Sequence, residues 1–133
     1  MIKKTLLLFV IMLGMISDRA YGENAYFMNN LVDAIALSES SKKPVLVIFG
    51  ADWCRYCGVL HKDLEDEDAA KALDDFIVCS IDIDKDKDLA KEYGVKSLPD
   101  SRIIKDKVEV SIYVGYKGKV KYLTWINDAR QHK

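Results

Sequence analysis

The sequence predicts an α/β domain with a central mixed β-sheet flanked by helices on both faces. Three observations lead there. Segments of helical and strand period alternate along the chain. The run Val45-Leu46-Val47-Ile48-Phe49 is apolar throughout and rich in β-branched residues, as in a strand covered on both faces. Two strands near the C-terminal end, joined by the polar turn Lys105-Asp106-Lys107, read as a hairpin added to a parallel β-α-β unit. A chain of 133 residues is one domain's worth, and with 50% of its residues hydrophobic it can build a genuine core.

The first segment stands apart from that core. Lys3 and Lys4 precede an apolar stretch from Leu6 to Ile16, and Ala20-Tyr21-Gly22 offers small residues at the spacing of a cleavage site. This is the three-part pattern of a secretory signal peptide over residues 1–22. The stretch is shorter than the roughly 20 apolar residues of a membrane-spanning helix, so the mature domain, 23–133, is not expected to insert in a membrane. The polar Ser17-Asp18-Arg19 and the bulky Tyr21 leave an uncleaved N-terminal anchor as the alternative. Without Lys3, Lys4, Asp18 and Arg19 the domain keeps 17 basic and 20 acidic residues, a net charge of −3. The basic residues are dispersed among carboxylates, which argues against nucleic acid as a partner.

The remaining elements follow in order. From Ala25 to Ser38, Phe27, Leu31, Ala34, Ile35 and Leu37 recur at helical spacing, and Ser40 to Pro44 breaks the helix. After the Val45–Phe49 strand, a helix begins at the Cys54 segment and runs to about Glu65, and Asp66 or Asp68 caps a short helix through Leu73. Phe76 to Ile83 reads as a strand, and Asp86 to Tyr93 as a helix closed by Gly94. Strands follow at about Ser101–Ile104 and Val108–Val114. A last helix spans Gly118 to Arg130, with Val120, Leu123 and either Trp125 or Ile126 on one stripe.

Cys54-Arg55-Tyr56-Cys57 carries the chemistry. Two cysteines three apart, where a strand meets a helix start, form a dithiol that can close into a disulfide and reopen. The first sulfur sits at the helix N-terminus, where unpaired N–H groups and the helix dipole favour the thiolate, the form that attacks other disulfides. A static disulfide is one alternative. Half a zinc site is another, but a site needs about four ligands and only Cys79, His61 and His132 remain.

With Ala51-Asp52-Trp53-Cys54-Arg55-Tyr56-Cys57, the later Gly94-Val95-Lys96-Ser97-Leu98-Pro99 and this element order, the chain resembles the thioredoxin family over nearly all of residues 23–133. The lead-in Lys43-Pro44-Val45-Leu46-Val47 is similar to that of its secreted branch, which includes the C-terminal domain of the periplasmic thiol:disulfide interchange reductase. The resemblance implies a thioredoxin-like fold and a thiol:disulfide oxidoreductase that needs no metal or organic cofactor. It implies that Cys54 attacks and the more buried Cys57 resolves, and that Trp53 flanks the site. It also implies that Pro99 is the loop proline held in cis beside the dithiol, the backbone of Leu98 pairing with a substrate strand. Substrates would be proteins with cysteine pairs, and a redox partner would reset the dithiol. A periplasmic monomer is expected.

The chain departs from the family pattern in three places. The buried acid on the strand before the motif, which helps move the resolving cysteine's proton, is matched by Ile48, and the lysine near it by Ser80. Asp100 stands where a small residue, often threonine, follows the proline. Arg55-Tyr56 replaces Gly-Pro.

Arg55 sets a positive charge beside Cys54, which favours the thiolate and a more oxidising couple, unless solvent screens it. Likeness to the interchange reductase argues for a reductase, the direction expected here. Tyr56 either shapes the substrate surface or, as expected, shields Cys57. His61, four residues past Cys57, is expected on the solvated outer face, with a base for Cys57's proton as the alternative. Cys79 is expected to be a buried, inert thiol. The alternation Asp82, Asp84, Asp86, Asp88 lacks the glycine and glutamate of a calcium loop and reads as a strand end plus a helix cap. The competing reading of the whole chain is a non-enzymatic module that binds extended peptides beside Leu98-Pro99, or carries copper between the two thiols.

Overall fold

A computed structural model of the protein describes residues 27–131. The expected signal segment 1–22, the start of the first expected helix and His132 lie outside the described residues. The elements are α1 (Leu31–Ser41), β1 (Val45–Gly50), α2 (Arg55–Asp63), α3 (Glu67–Leu73), β2 (Ile77–Asp82), α4 (Lys87–Glu92), β3 (Asp100–Lys105), β4 (Val108–Val114) and α5 (Lys119–Gln131). Four strands form one sheet in the order β2-β1-β3-β4. β1 runs parallel to β2 and antiparallel to β3, and β4 is antiparallel to β3, so the sheet is mixed as the sequence predicts.

The apolar run of β1 has a direct reason. Its side chains alternate between two cores. Leu46 and Ile48 pack with Leu60, Leu64, Leu73, Phe76, Tyr122 and Ile126 beneath α2, α3 and α5. Val45, Val47 and Phe49 pack with Leu31, Ala34, Ile77, Cys79 and Ile104 on the other face, towards α1. No position of β1 meets solvent.

Two elements differ from expectation in a way that matters for the site. The first helix starts at Leu31 instead of Ala25, because Asn30 Oδ1 accepts the Asp33 N–H at 3.1 Å and caps it. Met28, read as helical, instead bridges to β2: its N–H donates to Val78 O at 2.9 Å, and Ser80 N–H donates to Met28 O at 2.7 Å. Leu37, expected on the apolar stripe, is exposed. In α5, Val120 is also exposed. The helix turns Tyr122 and Ile126, one turn apart, into the core, and Tyr122 Oη donates to Ser101 Oγ at 2.7 Å.

Elsewhere the boundaries shift by one or two residues. Asp86 caps α4 by accepting the Leu89 N–H at 3.2 Å, and Gly94 follows it with φ +63°, a conformation glycine adopts freely. Asp66 occupies the N-cap of α3, but its carboxylate takes the Lys119 Nζ at 2.8 Å and leaves the helix backbone alone.

Candidate active site

The site lies where the two parallel strands end, the usual place for function in an open α/β sheet. β1 stops at Gly50, and after Ala51-Asp52-Trp53 the chain turns into α2 with Cys54 as N-cap. Cys54 Sγ accepts the Cys57 N–H at 3.3 Å, so the sulfur takes one of the unpaired donors at the helix start. Cys54 and Cys57 are paired sulfur to sulfur, with Cα atoms 5.3 Å apart. Their exposures differ sharply. Cys54 is half-buried, whereas Cys57 is only 3% exposed and faces the end of β1. A Cβ on Gly50 would come within 3.3 Å of Cys57 Sγ, so glycine lets the helix start settle onto the strand end.

The other expected site residues surround this pair. Trp53 is 70% exposed, and its Nε1 donates to Asp84 Oδ2 at 2.9 Å, which fixes the indole at the rim. Arg55 is the exposed first residue of α2. Tyr56 is 60% exposed and extends the rim, and Cys57 is covered from the side of β1 by Gly50. The register pair Phe49↔Asp100 sets the start of β3 against the end of β1 and brings Pro99 beside the dithiol loop. The Leu98-Pro99 bond is cis, Pro99 is fully buried, and its carbonyl accepts the Gly115 N–H at 2.7 Å.

Three features escape the sequence reading. His61 does not sit on a solvated outer face. It is half-buried, its Nε2 lies 3.4 Å from Ser80 Oγ, and Phe27 packs edge-on against its ring at 5.5 Å. The displaced N-terminal segment, bridged to β2, supplies that Phe27. His61, Cys54, Cys57, Gly50, Ser80 and Asp82 line one open cavity of about 530 Å³ behind the dithiol. Burial holds the imidazole below the ordinary histidine value, while Glu65 pulls it the other way.

The second feature is an ion triad under the proline. Asp100 and Arg102 are 2% and 8% exposed. The guanidinium grips Asp100 with two bonds, of 2.8 and 3.0 Å, and donates to Glu109 at 2.9 Å. It lies over the Tyr93 ring at 5.5 Å and the Phe49 ring at 5.9 Å. The third is the aromatic cluster of Tyr113, Tyr116, Tyr122 and Trp125 between β4 and α5. Tyr116 Oη also donates to Asp63, which ties the chain after β4 to the end of α2.

Among the described residues no group of three or more His, Cys, Asp or Glu side chains is gathered to hold a metal ion. Cys79 is fully buried on β2, and burial pushes its thiol up to about 12.

Comparison with known proteins decides what this arrangement belongs to. The family model described as Thioredoxin matches residues 27–128. The chain belongs to the thioredoxin family. It is 38% identical over 89 residues to a thioredoxin of Mycobacterium tuberculosis, covering 67% of this chain and 76% of that protein. It is 32% identical over 102 residues to the thioredoxin of Rickettsia typhi, covering 75% of this chain and 96% of that one. The solution structure of a thioredoxin from Thermus thermophilus superposes with a TM-score of 0.72 over 81% of this chain and 89% of that chain. At 22% identity that likeness is one of fold. With the Cys54–Cys57 pair at disulfide distance, the chain is a thiol:disulfide oxidoreductase. The thioredoxin family implies protein disulfides as substrates and a reductase as partner.

Two outcomes follow from the buried groups. Arg102→Met leaves the Asp100 carboxylate buried without its cation and is expected to destabilise the protein by about 3–5 kcal/mol in urea unfolding at pH 7. The double variant Asp100→Thr/Arg102→Met should recover much of that loss. Equal loss in both would show that the pairing is not what the single substitution breaks. Iodoacetamide at pH 8 should leave Cys79 unmodified in the folded, reduced protein and label it in urea, since a thiol held near 12 has almost no thiolate at that pH. Rapid labelling of folded Cys79, read by peptide mass spectrometry, would contradict this.

Proposed function

We propose that this chain is a secreted, periplasmic reductant of protein disulfides in which Cys54 attacks and Cys57 resolves. The observation that carries the reading is the asymmetry of the pair. Cys54 stands half-open at a helix N-terminus and accepts a backbone N–H, while Cys57 is closed against β1. A sulfur in the first position is favoured as thiolate by the N–H donors, the helix dipole and the Arg55 charge. One in the second position reacts only with what its neighbour has captured. In the reducing direction Cys54 forms a mixed disulfide, and Cys57 displaces it, releasing the reduced substrate and closing the internal bond.

Exposed Trp53 and Tyr56 form a rim suited to a protein surface. The backbone of Leu98, one residue before the proline, is the place for an extended substrate segment to pair. Likeness to the thioredoxins supports the reducing direction, since thioredoxin's couple lies near −270 mV. Similarity to the secreted interchange-reductase branch, carried by the residues leading into β1, and the pattern of residues 1–22 support export. By analogy with that compartment, the resetting partner is a bilayer-side reductase.

Insulin reduction with dithiothreitol should proceed with the wild type and be lost in Cys54→Ser. Cys57→Ser should accumulate mixed disulfides. Equal, negligible rates in wild type and Cys54→Ser would favour a peptide-binding module instead. Equilibration with glutathione is expected to give a potential below about −250 mV, and a value above about −180 mV would make the protein an oxidant. Expressed in a Gram-negative bacterium, the full chain should fractionate with the periplasm and begin near Glu23 by N-terminal sequencing. An intact Met1 in the cytosolic fraction would sink the export reading.

A further inference from the structure

Resting on the exchange reaction just proposed, we infer that His61 accepts the proton that Cys57 must lose before it displaces the substrate. The need for an acceptor is plain from where Cys57 sits. Its sulfur is closed in against Gly50, and only the thiolate attacks. At the register position beneath α2 the sheet offers Ile48 and Ser80, an aliphatic side chain and a hydroxyl, and the one carboxylate further along β2 on that side, Asp82, lies at the strand end.

The helix supplies one. Cys57 and His61 are one turn apart on the same side of α2, and both line the cavity behind the dithiol. Ser80 Oγ at 3.4 Å and the edge-on Phe27 ring hold the imidazole under the helix. Burial, against a smaller opposing pull from Glu65, lowers its affinity for a proton, which favours the neutral ring with one nitrogen as an acceptor. The other ionisable groups around the cavity are committed or poorly suited. Asp82 accepts the Asp84 N–H at 2.9 Å, and Asp86 caps α4. Asp52 lies on the exposed loop before α2. Lys85 has no acceptor to offer.

The step balances without an added reagent. In the mixed disulfide, the Cys57 proton passes to the imidazole, and the thiolate forms the Cys54–Cys57 bond as the bond from Cys54 to the substrate sulfur breaks. The departing substrate thiolate takes the electron pair and recovers the proton from the imidazolium. Two electrons leave the dithiol and the histidine returns to neutral.

The test separates the two half-reactions. Full-length reduced protein is mixed with a disulfide-linked fluorescent peptide in a stopped-flow instrument between pH 5.5 and 9, and capture and release are timed separately. In the wild type, release should rise with pH through a midpoint below the ordinary histidine value of about 6.5. In His61→Gln, release at pH 7 should slow by about 10- to 100-fold and climb only towards thiol pH values, with capture by Cys54 unchanged. Added imidazole should restore release in His61→Ala. Release by His61→Gln with the wild-type pH profile, whether at full speed or uniformly slowed, would overturn the assignment. If the wild type itself captures no peptide, it is the exchange reading that fails, and with it this inference. Unfolding curves of the variants identify any loss due to folding, in which case His61→Asn with imidazole titration supplies the same comparison.

Discussion

The site depends on one steric constraint: the start of α2 must lie directly on the end of β1. Gly50 permits it, because any side chain there would press on Cys57 Sγ. Once the helix is seated, the fate of both sulfurs is decided by the helix repeat. The N-cap residue, Cys54, projects at the rim and accepts a backbone N–H, and the residue three further on turns inwards against the strand. An exposed sulfur over a covered one is thus a property of a helix meeting a strand end. The register of β3 against β1 then fixes the third component, since pairing of Phe49 with Asp100 leaves Pro99 no place except beside the loop that carries the dithiol.

The charge triad on β3 and β4 belongs to the same corner. A carboxylate directly after a buried proline, inside the sheet, would be untenable alone. Arg102, two residues along and therefore on the same face, answers it with a forked pair of bonds. Glu109 and the Tyr93 and Phe49 rings complete the surroundings of the guanidinium. Such pairs contribute less to net stability than their bond count suggests, because desolvation offsets the attraction. What they add is geometric: two parallel bonds fix the Asp100 side chain, and the carbonyl of Pro99 is tied to Gly115 at the end of β4. The start of β3 is therefore held from both sides.

Much of this was legible in the residue order because it rests on local rules. An uninterrupted β-branched run marks a strand between two layers, and β1 alternates between two cores as such a run requires. The Cys54-Arg55-Tyr56-Cys57 segment was readable as a helix start after a strand, and the register of β3 against β1 sets Pro99 next to the end of that strand. What periodicity could not supply were contacts between distant segments. Phe27 and Met28 fit a helical stripe as well as an extended bridge, and the choice is made by Asn30 capping α1 and by hydrogen bonds to β2. Spacing alone placed His61 on Cys57's side of α2. Whether that side met solvent depended on Phe27 and Ser80, which arrive from elsewhere. Asp100 and Arg102 did leave a signal: opposite charges two apart in an otherwise apolar strand share a face, and burial forces them to pair.

The replacements at the site make most sense taken together. An acid at position 48 would project beneath α2 into a core of Leu60, Leu64 and Tyr122, and would need a polar partner on the neighbouring strand. With Ile48 and Ser80 as register partners, that register position of the sheet is free of charge, and the adjoining cavity takes its polar groups from His61 and the strand end as well as from Ser80. A base under Cys57 must then come from the helix side, and an imidazole is the side chain whose unperturbed proton affinity lies nearest neutrality. In the proposed scheme, moving the base from strand to helix also changes what it is coupled to. An acid on β1 would be fixed relative to the sheet, whereas His61 shares a helix with Cys57 and keeps its position relative to that sulfur through the helix backbone. The Met28 bridge to β2 sets Phe27 against the imidazole and is the part of the fold that keeps that arrangement covered, which gives the N-terminal segment a role at the site although it contributes no reacting group.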